Sequence, residues 1–205
     1  MSDTVDERDR ATASRGEPAS LPVVTGALAG VLAWLLGYAA TYAASVGRVE
    51  AALAEFNVGV SSLGGDPLPA WKAVGWLYYG GHFVDVRLLG LPGGSRSFDL
   101  VAGSDSAAAP LLYLLPPLVL VLASALVLAA NGVRDVRTAL LTSVPVTLGY
   151  GALAALFAAQ TRHAFGGGVV GGVDPLAAVA VAGVAYPLAF GALGGLVGVQ
   201  LSSRP

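Results

Sequence analysis

Histidine occurs twice in these 205 residues, at His82 and His163. Asp85 follows His82 by one helical turn's worth of residues, and Asp174 lies between His163 and the last apolar stretch. Two imidazoles and a carboxylate can hold zinc or another divalent cation, so His82, Asp85 and His163 are the candidate metal ligands. Their spacing argues against that chemistry. His82 and Asp85 share a face only on a helix, and the residues after Gly80-Gly81 read as leaving helix for strand. The favoured reading of each histidine is structural, an imidazole hydrogen-bonded to backbone or to a lipid headgroup. The absence of cysteine removes disulfides, thiolate catalysis, iron–sulfur clusters and cysteine-ligated zinc. The sequence contains no Walker loop, no Gly-x-Ser-x-Gly and no His-Glu-x-x-His. The expectation is a protein with no catalytic residues and no cofactor.

The elements that would carry these residues are apolar. Leu21 to Ala44, Leu111 to Ala130, Ala139 to Ala159 and Leu176 to Val199 each run without one Asp, Glu, Lys, Arg or His. A helix rising ~1.5 Å per residue needs about 20 such residues to cross ~30 Å of hydrocarbon. Continuous apolar runs of this length are too long for barrel strands, so the spans must be helices. The expected fold is an all-α membrane protein with four transmembrane helices, multi-pass in the cell membrane, with the lipid bilayer as its first partner. The hydrophobic share of 55% agrees, and the chain length suits one small bundle. Nothing in it suggests nucleic-acid binding. No span carries an ionisable group near its centre, where proton- and ion-coupled carriers generally place one.

Residues 1–20 mix Asp3, Asp6, Glu7, Asp9 and Glu17 with Arg8, Arg10 and Arg15 and read as a disordered cytoplasmic tail, leaving 21–205 as the membrane domain. The first apolar run is too long for the ~7–15-residue core of a cleavable signal, so it reads as a retained anchor. Arg8, Arg10, Arg15, the Arg134/Arg137 pair and Arg204 all fall on one side if both termini are cytoplasmic. The positive-inside bias therefore predicts N-in and C-in.

That orientation places residues 45–109 outside as a loop subdomain. Val49 to Phe56 would extend the first helix by two turns, and Gly64 to Pro69 would break it. Trp71, Trp76, Tyr78 and Tyr79 are expected to anchor a short helix lying at the interface, rings half buried and polar tips wet. Val84 to Leu88 and Ser97 to Leu100 alternate apolar and polar and are joined through Leu91-Pro92-Gly93-Gly94, which suggests a β-hairpin with Arg87 facing Asp99. An irregular glycine-rich loop is the alternative.

Within the spans, Gly26 and Gly30, then Gly191, Gly194, Gly195 and Gly198, put small residues four apart on one helix face, the pattern that lets helix backbones approach closely in lipid. Such a face serves a contact within the chain, a second copy of it, or nothing, since 28 glycines generate these spacings by chance. Pro116-Pro117, Pro145 and Pro187 would kink their helices unless placed in a first turn. Kinks open cavities in transporters and also occur in inert bundles.

The run Trp71-Lys72-Ala73-Val74-Gly75-Trp76, followed by Tyr79, His82, Phe83 and Val84, resembles a group of haloarchaeal four-span membrane proteins of unknown function. The resemblance covers most of the chain from the first span onward and implies no activity. One lysine against ten arginines is in keeping with it. The functional expectation is a scaffold or interaction component, partnered by another membrane protein or by itself. A small permease or channel subunit is the alternative, favoured if Thr41, Thr142, Thr147 and Tyr186 line a water-filled cavity and disfavoured if the threonines bond backbone carbonyls of their own helices.

Overall fold

The computed structural model describes residues 23–104 and 109–202. The expected tail at 1–20, with its arginines, and Arg204 lie outside the described residues. Among the described residues, four helices are long and apolar enough to cross a membrane. The first, α1 (Val23–Ser62), runs 40 residues without a break, about 60 Å at 1.5 Å per residue. It continues well past the two extra turns expected, until Leu63 and the Gly64-Gly65 turn stop it. Asn57 then turns the chain back along α1: its side chain accepts from the Leu68 N–H at 2.8 Å and donates to the Leu68 carbonyl at 3.1 Å. Pro69 opens α2 (Ala70–Gly80).

A short 3₁₀ turn, Ala109–Tyr113, leads into α3 (Leu115–Ala130), where Pro116 and Pro117 fall in the first turn and remove no internal hydrogen bond. After a tight connection, the Asp135 carboxylate accepts from the Thr138 N–H and hydroxyl and starts α4 (Val136–Gln160). The fourth long apolar helix, called the fourth span below, is composite. It begins as α5 (Pro175–Ala177), widens into a π-helical stretch over Ala178–Ala185, and ends as α6 (Tyr186–Ser202). Pro187 has no N–H for the Gly183 carbonyl and its ring would press on that oxygen, so the wider winding directly before it accommodates the proline without a sharp break.

Close glycine contacts set the helix directions. A Cβ on Gly26 would meet Pro145, and one on Gly30 would meet Val146 and Tyr150, so α1 and α4 run parallel. Gly194 faces Val121 and Gly198 faces Ala125, which makes α3 and α6 parallel, while Gly195 against Ala139 and Gly183 against Gly151 set the fourth span antiparallel to α4. Gly191 packs on Ser124 and Ser143. All six glycines singled out by spacing therefore sit against another helix of this chain.

One end of the bundle carries a sheet. β1 (Val86–Leu91) and β2 (Gly94–Phe98) form the hairpin read from the alternating pattern. A second hairpin, β3 (His163–Gly166) and β4 (Val169–Val173), joins it in the antiparallel order β2-β1-β4-β3, with Val86 opposite both Phe98 and Val173. The stretch between the apolar runs that end at Ala159 and begin at Leu176 shows no sustained period-two alternation that would mark a strand. Gly171, which looks like loop, is packed: a Cβ there would stand 2.7 Å from Phe165 and 3.0 Å from Trp76.

Arg87 does not pair with Asp99. Its guanidinium reaches Asp174 at 2.5 Å, and Asp99 instead accepts from the Val101 and Ala102 N–H groups and the Tyr113 hydroxyl. Asp174 also accepts from the Ala177 N–H, so one carboxylate joins the sheet to the last span. Asp174→Ala is expected to cost about 1–2 kcal/mol through the lost cap. Arg87→Ala should cost less than half as much, because the arginine is half exposed and such pairs contribute only ~0–1 kcal/mol. Thermal unfolding in detergent separates the two, and equal losses would assign the junction to the ion pair.

Candidate functional site

α2 does not lie flat. Its residues meet successively deeper positions of α4 and the two residues that follow it: Lys72 Nζ donates to the Arg162 carbonyl at 2.6 Å, Trp76 Nε1 to the Thr161 carbonyl at 3.0 Å, the Tyr79 hydroxyl to the Ala154 carbonyl, and the Tyr78 hydroxyl meets the Tyr150 hydroxyl at 3.0 Å. As α2 advances from 72 to 79, its partners recede from 162 toward 150, so it descends antiparallel to α4. Gly75 allows the approach, since a Cβ there would stand 2.8 Å from Thr161. The helix ends beside Trp34, about 17 Å along α1 from Val23.

The aromatic residues of α2 are therefore divided in role. Trp71 keeps 39% of its surface exposed, as an interfacial ring would, and its carbonyl accepts from the Tyr38 hydroxyl. Trp76, Tyr78 and Tyr79 are buried at 5%, 1% and 0%. For these three the expectation of an interfacial anchor is corrected: their ring area is covered by protein and their polar tips are satisfied inside it.

At the foot of α2 the chain reverses through Gly81, His82 and Phe83, with Phe83 at φ 58° and its ring stacked on Tyr113 at 4.6 Å. His82 is fully buried. Its Nδ1 lies 2.9 Å from the Tyr78 carbonyl and its Nε2 2.7 Å from the Tyr150 hydroxyl. A carbonyl only accepts, so Nδ1 carries the proton and Nε2 accepts from Tyr150. Tyr78 is then left to donate to Tyr150. The circuit runs from Tyr78 O–H through Tyr150 O–H to Nε2, and from Nδ1–H back to the Tyr78 carbonyl. Trp34 lies nearly parallel to the imidazole at 5.7 Å and Tyr186 packs at 5.0 Å. Burial holds the imidazole well below its ordinary value, at about 4, with the Tyr78 carbonyl opposing part of the shift. Burial likewise pushes the Tyr78 and Tyr79 phenols up.

Both imidazole nitrogens are thus engaged, and the candidate trio His82, Asp85 and His163 is not brought together. His163 bonds through Nε2 to the Asp66 carbonyl at 3.0 Å on the sheet, and Asp85 is exposed. Among the described residues no three metal-binding side chains come together. What the sequence reading misses is the rest of the cluster, Trp34 and Tyr150, each inside an apolar run, and the packing of Tyr186, named there only as a possible cavity-lining residue, against His82. The available signal is a polar-tipped ring in a long apolar segment, which needs an internal hydrogen-bond partner.

Residues 5–202 match DUF7978, a family of unknown function, and the chain belongs to that family. No match was found among functionally curated proteins or among solved structures.

Proposed function

We propose that this protein is a non-enzymatic, multi-pass component of the cell membrane that acts as a scaffold or interaction partner, in a haloarchaeal setting, with both termini cytoplasmic and the sheet outside. The observation that carries the reading is how the bundle spends its polar groups. Thr41, Thr142 and Thr147 donate to the Gly37, Thr138 and Ser143 carbonyls of their own helices, at 3.0, 2.8 and 2.8 Å. His82, Tyr78 and Tyr150 satisfy one another. Side chains bonded in this way offer a solute no polar path. The sheet supplies the interaction surface: β2 is an edge strand with every residue exposed, and an edge presents unpaired backbone groups to a partner.

Two measurements test this. Proteoliposomes containing the protein should show no more ion or small-solute leak than empty vesicles, and protein-dependent flux would favour the permease reading instead. The chain has no native cysteine, so single cysteines report orientation without background. Asp135→Cys should react with an impermeant thiol reagent only after lysis and Gly94→Cys in intact cells; the reverse pattern would overturn the orientation.

A further inference from the structure

α1 continues beyond its uncharged stretch, α2 leans against it, and the β1–β2 hairpin folds across the gap. Between them is a cavity of about 490 Å³, within the roughly 300–1,000 Å³ of small-molecule sites. Its wall is apolar, formed by Leu53 and Phe56 of α1, Trp76 and Leu77 of α2, and Leu88 and Phe98 of the hairpin. Phe56 and Phe98 stay 45% and 41% exposed, so the cavity opens to the surface. Arg48 is the one charged side chain among the described residues that line it. Its Nη2 donates to the Ala44 carbonyl at 3.1 Å, one of the five donors a guanidinium carries.

The position of Arg48 matters as much as its charge. It follows directly on the uncharged run that ends near Ala44, the level at which a spanning helix passes from hydrocarbon to headgroups. An apolar slot beside a single guanidinium, at that level, matches a molecule with a long apolar chain and one anionic head, and a planar guanidinium suits phosphate. We propose that this cavity takes up an anionic phospholipid lifted partly out of the surrounding bilayer, its phosphate on Arg48 and one acyl chain running outward from that level between α1, α2 and the hairpin, where the apolar wall shields it from water. The assignment needs the four helices to span the membrane and is independent of the scaffold reading.

The test uses delipidated protein in detergent, titrated with dioleoyl phosphatidylglycerol while the thermal midpoint is followed. A saturable rise is expected, because a ligand that binds the folded state alone stabilises it. Arg48→Gln should weaken the apparent affinity about tenfold, the loss of ~1.4 kcal/mol of charge-assisted bonding. Ala52→Trp, which fills the cavity, should abolish the shift, and Leu126→Trp on an exposed face elsewhere should leave it intact. If Ala52→Trp does not fold, Arg48→Gln decides alone, since its side chain is exposed. An unchanged titration in Arg48→Gln would overturn the site in favour of general lipid solvation. Oleate giving the full shift would reassign it to a free fatty acid, and a lipid-free dimer dissociated by Ala52→Trp would reassign it to a second copy; either result overturns the proposal. Solute flux in proteoliposomes would remove the scaffold reading and leave this result standing.

Discussion

Gly30→Ala is expected to lower the thermal midpoint of the detergent-solubilised protein by roughly 6–12 °C, while Gly47→Ala and Gly59→Ala on the same helix leave it unchanged or raise it. An added Cβ at Gly30 would overlap the Val146 carbonyl oxygen and stand 2.8 Å from the Tyr150 nitrogen. Both are backbone atoms, so only separation of α1 from α4 relieves the clash. Overpacking of this kind costs about 3 kcal/mol, and a chain of this size loses ~2–4 °C per kcal/mol. Gly149→Ala should behave alike, because its Cβ would strike Ala27 from the other side. Nothing lies within 4 Å of a Cβ at Gly47 or Gly59, where alanine gains up to about 1 kcal/mol of helix propensity. Equal responses at all four positions would show that the two helices are not in backbone contact.

Tyr150→Phe should destabilise the protein by about 3 kcal/mol, out of proportion to the loss of one oxygen, because it strands two buried groups, the His82 Nε2 acceptor and the Tyr78 hydroxyl donor. The same circuit makes stability depend on pH. The folded imidazole titrates at about 4 and the unfolded one near 6.5, so between these values the unfolded chain binds a proton that the folded chain refuses. Stability is then full above about pH 6.5 and falls as pH drops toward 4, by up to about 3 kcal/mol. His82→Asn removes the titrating group and should flatten that part of the profile measured by thermal unfolding. A variant with the slope of the unmodified protein would assign the acid sensitivity to carboxylates instead.

The amino-acid sequence by itself determined the four long apolar helices, because the length without charge that lipid requires is a property each segment meets alone. It also offered the β1–β2 hairpin, where period-two alternation flanks Pro92-Gly93-Gly94, as one of two readings beside an irregular loop, while the placement of Pro116 and Pro117 in the first turn of α3 came only from the structure. Only tertiary structure decided where the aromatic rings of α2 went. A Trp-Tyr run reads the same whether its rings meet headgroups or neighbouring helices, since both surroundings offer apolar contact and a partner for the polar tip. The β3–β4 hairpin was equally hidden: 163–173 holds five glycines and little alternation, and becomes strand because β1 presents an edge on which β4 can pair. Arg87 found Asp174 rather than Asp99 for the same reason, since the pairing of β1 with β4 ends beside the first turn of the last span. His82 was legible as a residue and not as a role. Its Nδ1 partner, the Tyr78 carbonyl, is one helical turn away, but its depth and its Tyr150 partner come from segments distant in the chain, and apolar helices of similar composition carry no local mark of which faces turn inward.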